Sequence, residues 1–128
     1  MILGIGADVV EVERVARLLE RYGERFVRRV LAPSEWADYR ASANPQLFVA
    51  SRFAAKEAYA KALGTGLRAP VLLTHIGVTH DALGRPSLEL SPELQALSVD
   101  RGVGAHHITL SHERSIACAF VVLEASLR

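Results

Sequence analysis

Cysteine is almost absent from this chain: Cys118 is the only one among 128 residues. That excludes an internal disulfide framework and every cysteine-based zinc cluster, and it suits a reducing compartment. Cys118 sits in "IACAFVV", where a buried, small apolar side chain is expected. Long uninterrupted apolar runs are missing too. The opening residues, "MILGIGADVVEVE", have no basic leader and are cut by Asp8 and Glu11, so neither a signal peptide nor a membrane span is expected and the location reads as cytoplasmic. Charge of one sign is not in excess, with 15 Lys and Arg against 14 Asp and Glu. That balance argues neither for a nucleic-acid binder nor for a polyanionic protein and leaves functional charge to local clusters. Internal repeats and low-complexity tracts are absent. What is present is 50% hydrophobic residues, enough for one core in a chain too short for two ordinary domains, hence a single domain over residues 1–128.

Periodicity gives the elements. Residues 2 to 9 are apolar and rich in β-branched side chains, then Val12, Val15, Leu18, Leu19 and Tyr22 recur at helical spacing, so a strand enters a helix. Gly23 ends or bends that helix, and "ERFVRRVL" continues it with Phe26, Val27 and Val30 inward. Pro33 suits a first helical position and Glu35 the acidic half of a capping box, although Ala32 has no side-chain oxygen to complete it. After the "SANP" loop, Pro45 opens a long helix that stops at Gly64, the position of a left-handed C-cap, and residues 67 to 74 form an irregular connection. "HIGVTHDALGRPSLEL" alternates, turns at Asp81 to Gly84 and resumes, which is a hairpin signal. Ser91-Pro92-Glu93 starts another helix, with Leu94 and Leu97 inward and Gly102 closing it. "HHITLSHERSIACAFVVLE" reads as two strands joined by a turn at His112 to Ser115. The sum is an α+β domain, with "ILGIG" and "ACAFVVLE" as expected sheet neighbours.

The stretch "SRFAAKEAYAKALGTG" carries the densest chemistry. On a helix Glu57, Lys61 and Gly64 fall on one face, a carboxylate, an ammonium and a backbone turn in a row. The alanines beside them leave room for a chain segment or a ligand to approach closely. A phosphate at a helix C-terminus needs compensating cations and free amides, which Lys61, "GTG" and a metal held by Glu57 would supply. Asp8 is the natural second carboxylate for Mg²⁺, which takes a few carboxylate oxygens and completes its shell with phosphate and water. The competing reading is an ordinary surface ion pair between Glu57 and Lys61.

Other signals are weaker. "GIG" fails the dinucleotide pattern, because Gly-x-Gly-x-x-Gly from Gly4 needs glycine where Val9 stands. Among His75, His80, His106, His107 and His112, the adjacent His106 and His107 point to opposite faces of a strand, which disfavours zinc. Arg14, Arg17, Arg21, Arg25 and Arg28 recur every three or four residues as a basic stripe opposite the apolar face. Interleaved Glu13, Glu20 and Glu24 make it a solvated face with local ion pairs, or it steers and binds an acidic protein.

The segments "GIGADVVEVERV", "RFAAKEAYAKALGTG", "GRPSLEL" and "LSHERSIACAFVVLE" resemble, in this order and nearly end to end, the holo-acyl-carrier-protein synthases, short single-domain 4′-phosphopantetheinyl transferases. The resemblance implies a 4′-phosphopantetheinyl transferase-like fold, an antiparallel sheet packed with a long central helix. It implies Mg²⁺-dependent transfer of phosphopantetheine from coenzyme A to a serine of apo-acyl carrier protein, releasing 3′,5′-ADP, in support of fatty acid or polyketide biosynthesis. By motif, Asp8 and Glu57 resemble the metal ligands and Lys61 the cation on the pyrophosphate, with Glu57 the first candidate for the serine's base. Gly64, Thr65 and Gly66 correspond to amides facing phosphate, Arg85 and Pro86 to hairpin residues near the adenine. Arg52, Ser111 and His112 correspond to residues near the nucleotide phosphates. Arg14 and Arg21, with Arg17 or Arg25, correspond to a helix that docks the acidic carrier protein. A homotrimer with active sites between subunits is also implied. Ala32 departs from the threonine frequent there in relatives, a cap weaker by ~1 kcal/mol. Two other readings remain at this level: a non-enzymatic module whose arginines bind an acidic partner or nucleic acid, and a Mg²⁺-dependent phosphodiesterase using Asp8 and Glu57.

Overall fold

Strand β1 (Ile2–Glu11) passes directly into helix α1 (Val12–Tyr22), and Gly23, at φ 59°, breaks the helix before α2 (Glu24–Val30). Only a residue without a side chain takes that backbone easily, so α1 and α2 are separate helices where the spacing alone suggested near-continuity. A one-turn 3₁₀ helix at Pro33–Glu35 leads into α3 (Trp36–Ala41). Helix α4 (Pro45–Leu63) is capped by Asn44, whose Oδ1 accepts from Leu47 N at 3.2 Å, and ends at Gly64 with φ 83°. A second 3₁₀ turn, Leu73–His75, lies in the connection expected to be irregular, and precedes the hairpin β2 (Ile76–His80) and β3 (Pro86–Leu90). Ser91 caps α5 (Pro92–Asp100), and β4 (Val103–His112) and β5 (Ile116–Ala125) close the chain. This computed structural model describes residues 1–127.

The α+β expectation holds, with the strands divided between two antiparallel sheets: β1-β5-β4 and the hairpin β2-β3. The terminal strands are neighbours as expected, with Asp8 opposite Ala119 and Gly6 opposite Val121. Gly4, Gly6, Asp8 and Val10 face inward with Ala117, Ala119, Val121 and Leu123, because side chains alternate along a strand. Helix α4 lies across this face on Ala54, Ala55, Ala58 and Ala62, and the approach is close enough to explain "GIG". A Cβ on Gly6 would stand 2.0 Å from the Ala58 carbonyl oxygen, and one on Gly4 2.0 Å from that of Ala62. The room beside the helix belongs to the chain's own first strand.

The outer face is different. Ile5, Val9, Ile116 and Phe120 lie there exposed, Phe120 at 49% and Ile5 at 69%. Cys118 also faces outward and is half-buried, contrary to the buried position expected, because its register partners Val9 and Ser111 are outward residues.

Candidate active site

The inward turn of Asp8 on β1 sets its carboxylate against α4, where Lys61 Nζ donates to Asp8 Oδ1 at 3.0 Å and to the Ala7 carbonyl at 2.9 Å. Lys61 thus reaches across to β1; the alternative of a Glu57–Lys61 pair along the helix is not the ion pair that forms. Glu57, half-buried one turn earlier, has a carboxyl held above its ordinary pKa by burial and then by the Asp8 carboxylate, while Lys61 and Arg14 pull the other way. Two carboxylates, one ammonium and the Arg14 guanidinium therefore share one neighbourhood. Such a pair of hard oxygen donors, in no cluster of three or more His, Cys, Asp or Glu among the described residues, fits Mg²⁺ better than zinc. The Gly64 amide closes the helix onto the Ala60 and Lys61 carbonyls at 3.0 and 3.1 Å, whereas the Thr65 and Gly66 amides donate to no backbone carbonyl among the described residues.

Arg52 stands five residues before Glu57, roughly 140° around the helix, and serves a second cleft of about 380 Å³. Phe48, Arg52, His80, Gly84, Pro86 and His112 line it. The Arg52 guanidinium lies 4.2 Å over the Phe48 ring, and its pKa is lowered by burial against the attraction of Glu35 and Asp38. Burial, then Arg52, also lowers the pKa of His80, so its imidazole stays neutral more readily. Arg85 sits at the hairpin tip beside the cleft; its amide and that of Leu83 donate to Asp81 Oδ1, both at 2.9 Å, which shapes the turn. Ser111 and His112 part company: His112 lies on the inward face with Ala117 and lines the cleft, while Ser111 pairs with Cys118 on the outer face. The chain thus brings Asp8, Glu57 and Lys61 together, and separately Arg52, Pro86 and His112, on different sides of α4.

The basic stripe is divided by the break at Gly23. Arg25 joins Leu18, Tyr22, Phe26 and Arg29 around an open groove, Arg21 lies 5.4 Å over the Tyr22 ring, and Arg14 stays beside Glu57. Arg17 forms an exposed 3.6 Å pair with Glu13, the solvated-face alternative at that position. Arg28, expected on the stripe, instead lines another cleft with Leu31, Pro33 and Trp36. The apolar floor of the groove was missed from sequence, although Leu18, Tyr22 and Phe26 are spaced i, i+4, i+8. Lys56 was missed as well: it is fully buried and paired with Glu35, and burial brings its amine down to about 8. A lysine four residues after Arg52 among buried alanines was the available signal for an internal partner.

Residues 4–121 match the model of the 4′-phosphopantetheinyl transferase superfamily. Holo-[acyl-carrier-protein] synthase of Nitrosospira multiformis is 57% identical, over 97% of this chain and 99% of that protein. The crystal structure of holo-[acyl-carrier-protein] synthase (AcpS) from Neisseria meningitidis superposes with a TM-score of 0.94 at 41% identity, covering 97% of this chain and 99% of that one. That of a holo-(acyl-carrier-protein) synthase from Bacillus anthracis in complex with CoA (3′,5′-ADP) gives 0.81 at 38% identity, over 98% and 99%.

Proposed function

Because the chain belongs to the 4′-phosphopantetheinyl transferase superfamily, we propose that it transfers 4′-phosphopantetheine from coenzyme A to a serine hydroxyl of apo-acyl carrier protein. The products are holo-acyl carrier protein and 3′,5′-ADP, and the reaction serves fatty acid or polyketide biosynthesis. The observation that carries this reading is the Asp8, Glu57 and Lys61 cluster at the end of α4, in a chain matching relatives named for this activity along nearly its whole length.

In the reaction the serine oxygen bonds to the phosphorus that bears pantetheine, and the bridging P–O bond breaks with its electron pair leaving on 3′,5′-ADP. Asp8 and Glu57 would hold Mg²⁺, which supplies charge neutralisation for both phosphates when bound. Lys61 Nζ, fixed by Asp8 and the Ala7 carbonyl, places a cation toward the pyrophosphate. The Thr65 and Gly66 amides serve the phosphates, since that of Gly64 is committed to the helix end. Glu57 is our candidate acceptor for the serine proton, because Asp8 is already ion-paired. Arg52 and His112, with Pro86 and Arg85, take the nucleotide. The carrier docks on Arg14, Arg21 and Arg25 around the apolar groove of Leu18, Tyr22 and Phe26, where guanidiniums meet its carboxylates.

We assign a homotrimer of single-domain chains, residues 1–128, with each site shared between neighbours. Two features support it: the metal-side and nucleotide-side residues lie on different sides of α4, and the outer sheet face exposes Ile5, Val9 and Phe120 around a cleft to be covered. Ser111 on that face then reaches a neighbour's nucleotide. No described helix is long and apolar enough to cross a membrane, and the lone half-buried thiol supports a cytoplasmic location.

Intact-mass spectrometry of apo-acyl carrier protein incubated with the protein, coenzyme A and Mg²⁺ tests the reaction. The expected result is a gain of one phosphopantetheine that a chelator abolishes. Release of 3′,5′-ADP with no carrier present would identify a phosphodiesterase instead, and no turnover with several carriers would leave a binding module.

A further inference from the structure

Glu35 was legible only as a helix cap, yet it is 1% exposed and its carboxylate meets four groups from three parts of the chain. Oε1 accepts from the Ala32 amide at 2.8 Å and from Lys56 Nζ on α4. Oε2 accepts from the Val78 amide of β2 at 3.0 Å and stands 3.3 Å from Arg52 Nε. Two of these groups belong to walls of the second cleft: Arg52 on α4, and β2, which ends in His80 and turns through Gly84 to Pro86.

The Arg52 guanidinium is held but not used up. Its Nε faces Glu35 and its plane rests on Phe48, while none of its nitrogens hydrogen-bonds within the described residues. A guanidinium fixed at one edge presents its outer nitrogens in a set direction, which suits a phosphate better than a free cation does. Lys56 completes the cluster by donating to the Val30 carbonyl as well, so the carboxylate itself cannot swing away.

We propose that Glu35 is a positioning residue for the nucleotide: its carboxylate aims Arg52 into the cleft and fixes the β2–β3 hairpin at the matching distance from α4. The proposal rests on the functional reading above, since the ligand of the cleft is the nucleotide half of coenzyme A. Glu35 touches no ligand. It acts through Arg52 and Val78.

The test is a double-mutant cycle in affinity for 3′,5′-ADP, measured by titration calorimetry, with the KM values for coenzyme A and carrier protein beside it. Glu35→Gln keeps the shape but removes the charge, and whichever way the amide turns its nitrogen faces groups that themselves donate. Its nucleotide Kd and coenzyme A KM should rise about tenfold or more, while the carrier KM changes less than about twofold. Arg52→Lys, which keeps the charge and loses the fork, should do the same. Because the two share the Arg52–Glu35 contact, the loss in the double variant should fall clearly short of the product of the two single losses.

Leu94→Ala, a fully buried site in α5 that is not among the groups meeting the Glu35 carboxylate, controls for lost stability. Normal affinity in folded Glu35→Gln, multiplying losses in the cycle, or an equal loss in Leu94→Ala at the same drop in Tm would each overturn the proposal. If Glu35→Gln does not fold, Glu35→Asp, which keeps the charge but draws the carboxylate back from Arg52 and Val78, takes its place, and normal nucleotide affinity there refutes positioning by Glu35. A wild-type chain with no affinity for 3′,5′-ADP or coenzyme A overturns the functional reading itself, which separates that failure from failure of the positioning role.

Discussion

At the scale of single residues, Asp8 is the junction of the proposed metal site: it faces Glu57 and binds Lys61 at once. Asp8→Asn should therefore lower kcat by about 10²-fold or more, the usual loss when a charge-stabilising group is removed, with carrier affinity unchanged in a pull-down. A normal kcat would remove Asp8 from the site. Lys61→Ala should mainly raise the coenzyme A KM, by about 10- to 100-fold for a lost charged contact; an unchanged KM in steady-state assays would contradict its phosphate role. Glu57 and Lys61 were legible as a pair on one helix face because helical spacing is local. The actual partner of Lys61 was not, since its contact with Asp8 spans 53 positions of sequence and periodicity carries no information over that range. Lys56 shows the same limit with a thermodynamic consequence. Between about pH 8 and its ordinary 10.5 the unfolded chain keeps a proton that the folded chain has released, so this group's contribution to stability improves as pH rises through that window.

At the scale of elements, helix starts and ends were the most legible features, because Pro45, Gly64 and Ser91 act within a few residues of themselves. "GIG" was not, since its reason is the carbonyl edge of α4, more than fifty positions away. Gly6→Ala would drive a methyl to 2.0 Å from the Ala58 oxygen. Neither backbone can yield cheaply, so unfolding stability should fall by about 3 kcal/mol or more, read as a lower urea midpoint; a loss under about 1 kcal/mol would mean that β1 and α4 are not locked as described. The division of the arginines likewise follows from a backbone event at Gly23 that a helical wheel drawn through residues 12 to 30 overlooks. Arg25 lies at the apolar groove and away from the cleft of Arg52 and His112. Arg25→Glu should raise the carrier KM about tenfold with the coenzyme A KM unchanged, and equal losses in both would reject the groove as the docking site.

At the scale of the whole molecule, the open issue is where one active site begins and ends. Pattern reading reached the α+β class and the motif residues, but a stretch of alternating apolar residues does not say whether its second face meets a helix of the same chain or another copy. The described chain answers half of that: α4 covers Gly4, Gly6 and Val10, while Ile5, Val9 and Phe120 stay bare. If metal-side and nucleotide-side residues meet only across subunits, two damaged chains can repair each other. In a random mixed trimer of Asp8→Asn and Arg52→Ala chains, each half of a given site is intact with probability one half, so about a quarter of sites regain both halves. Co-refolding the two variants in equal amounts and assaying at low coenzyme A should then return about a quarter of wild-type activity. A site contained within one chain would return no more than the average of the two variants, because no exchange of neighbours could place an intact Asp8 and an intact Arg52 around the same coenzyme A.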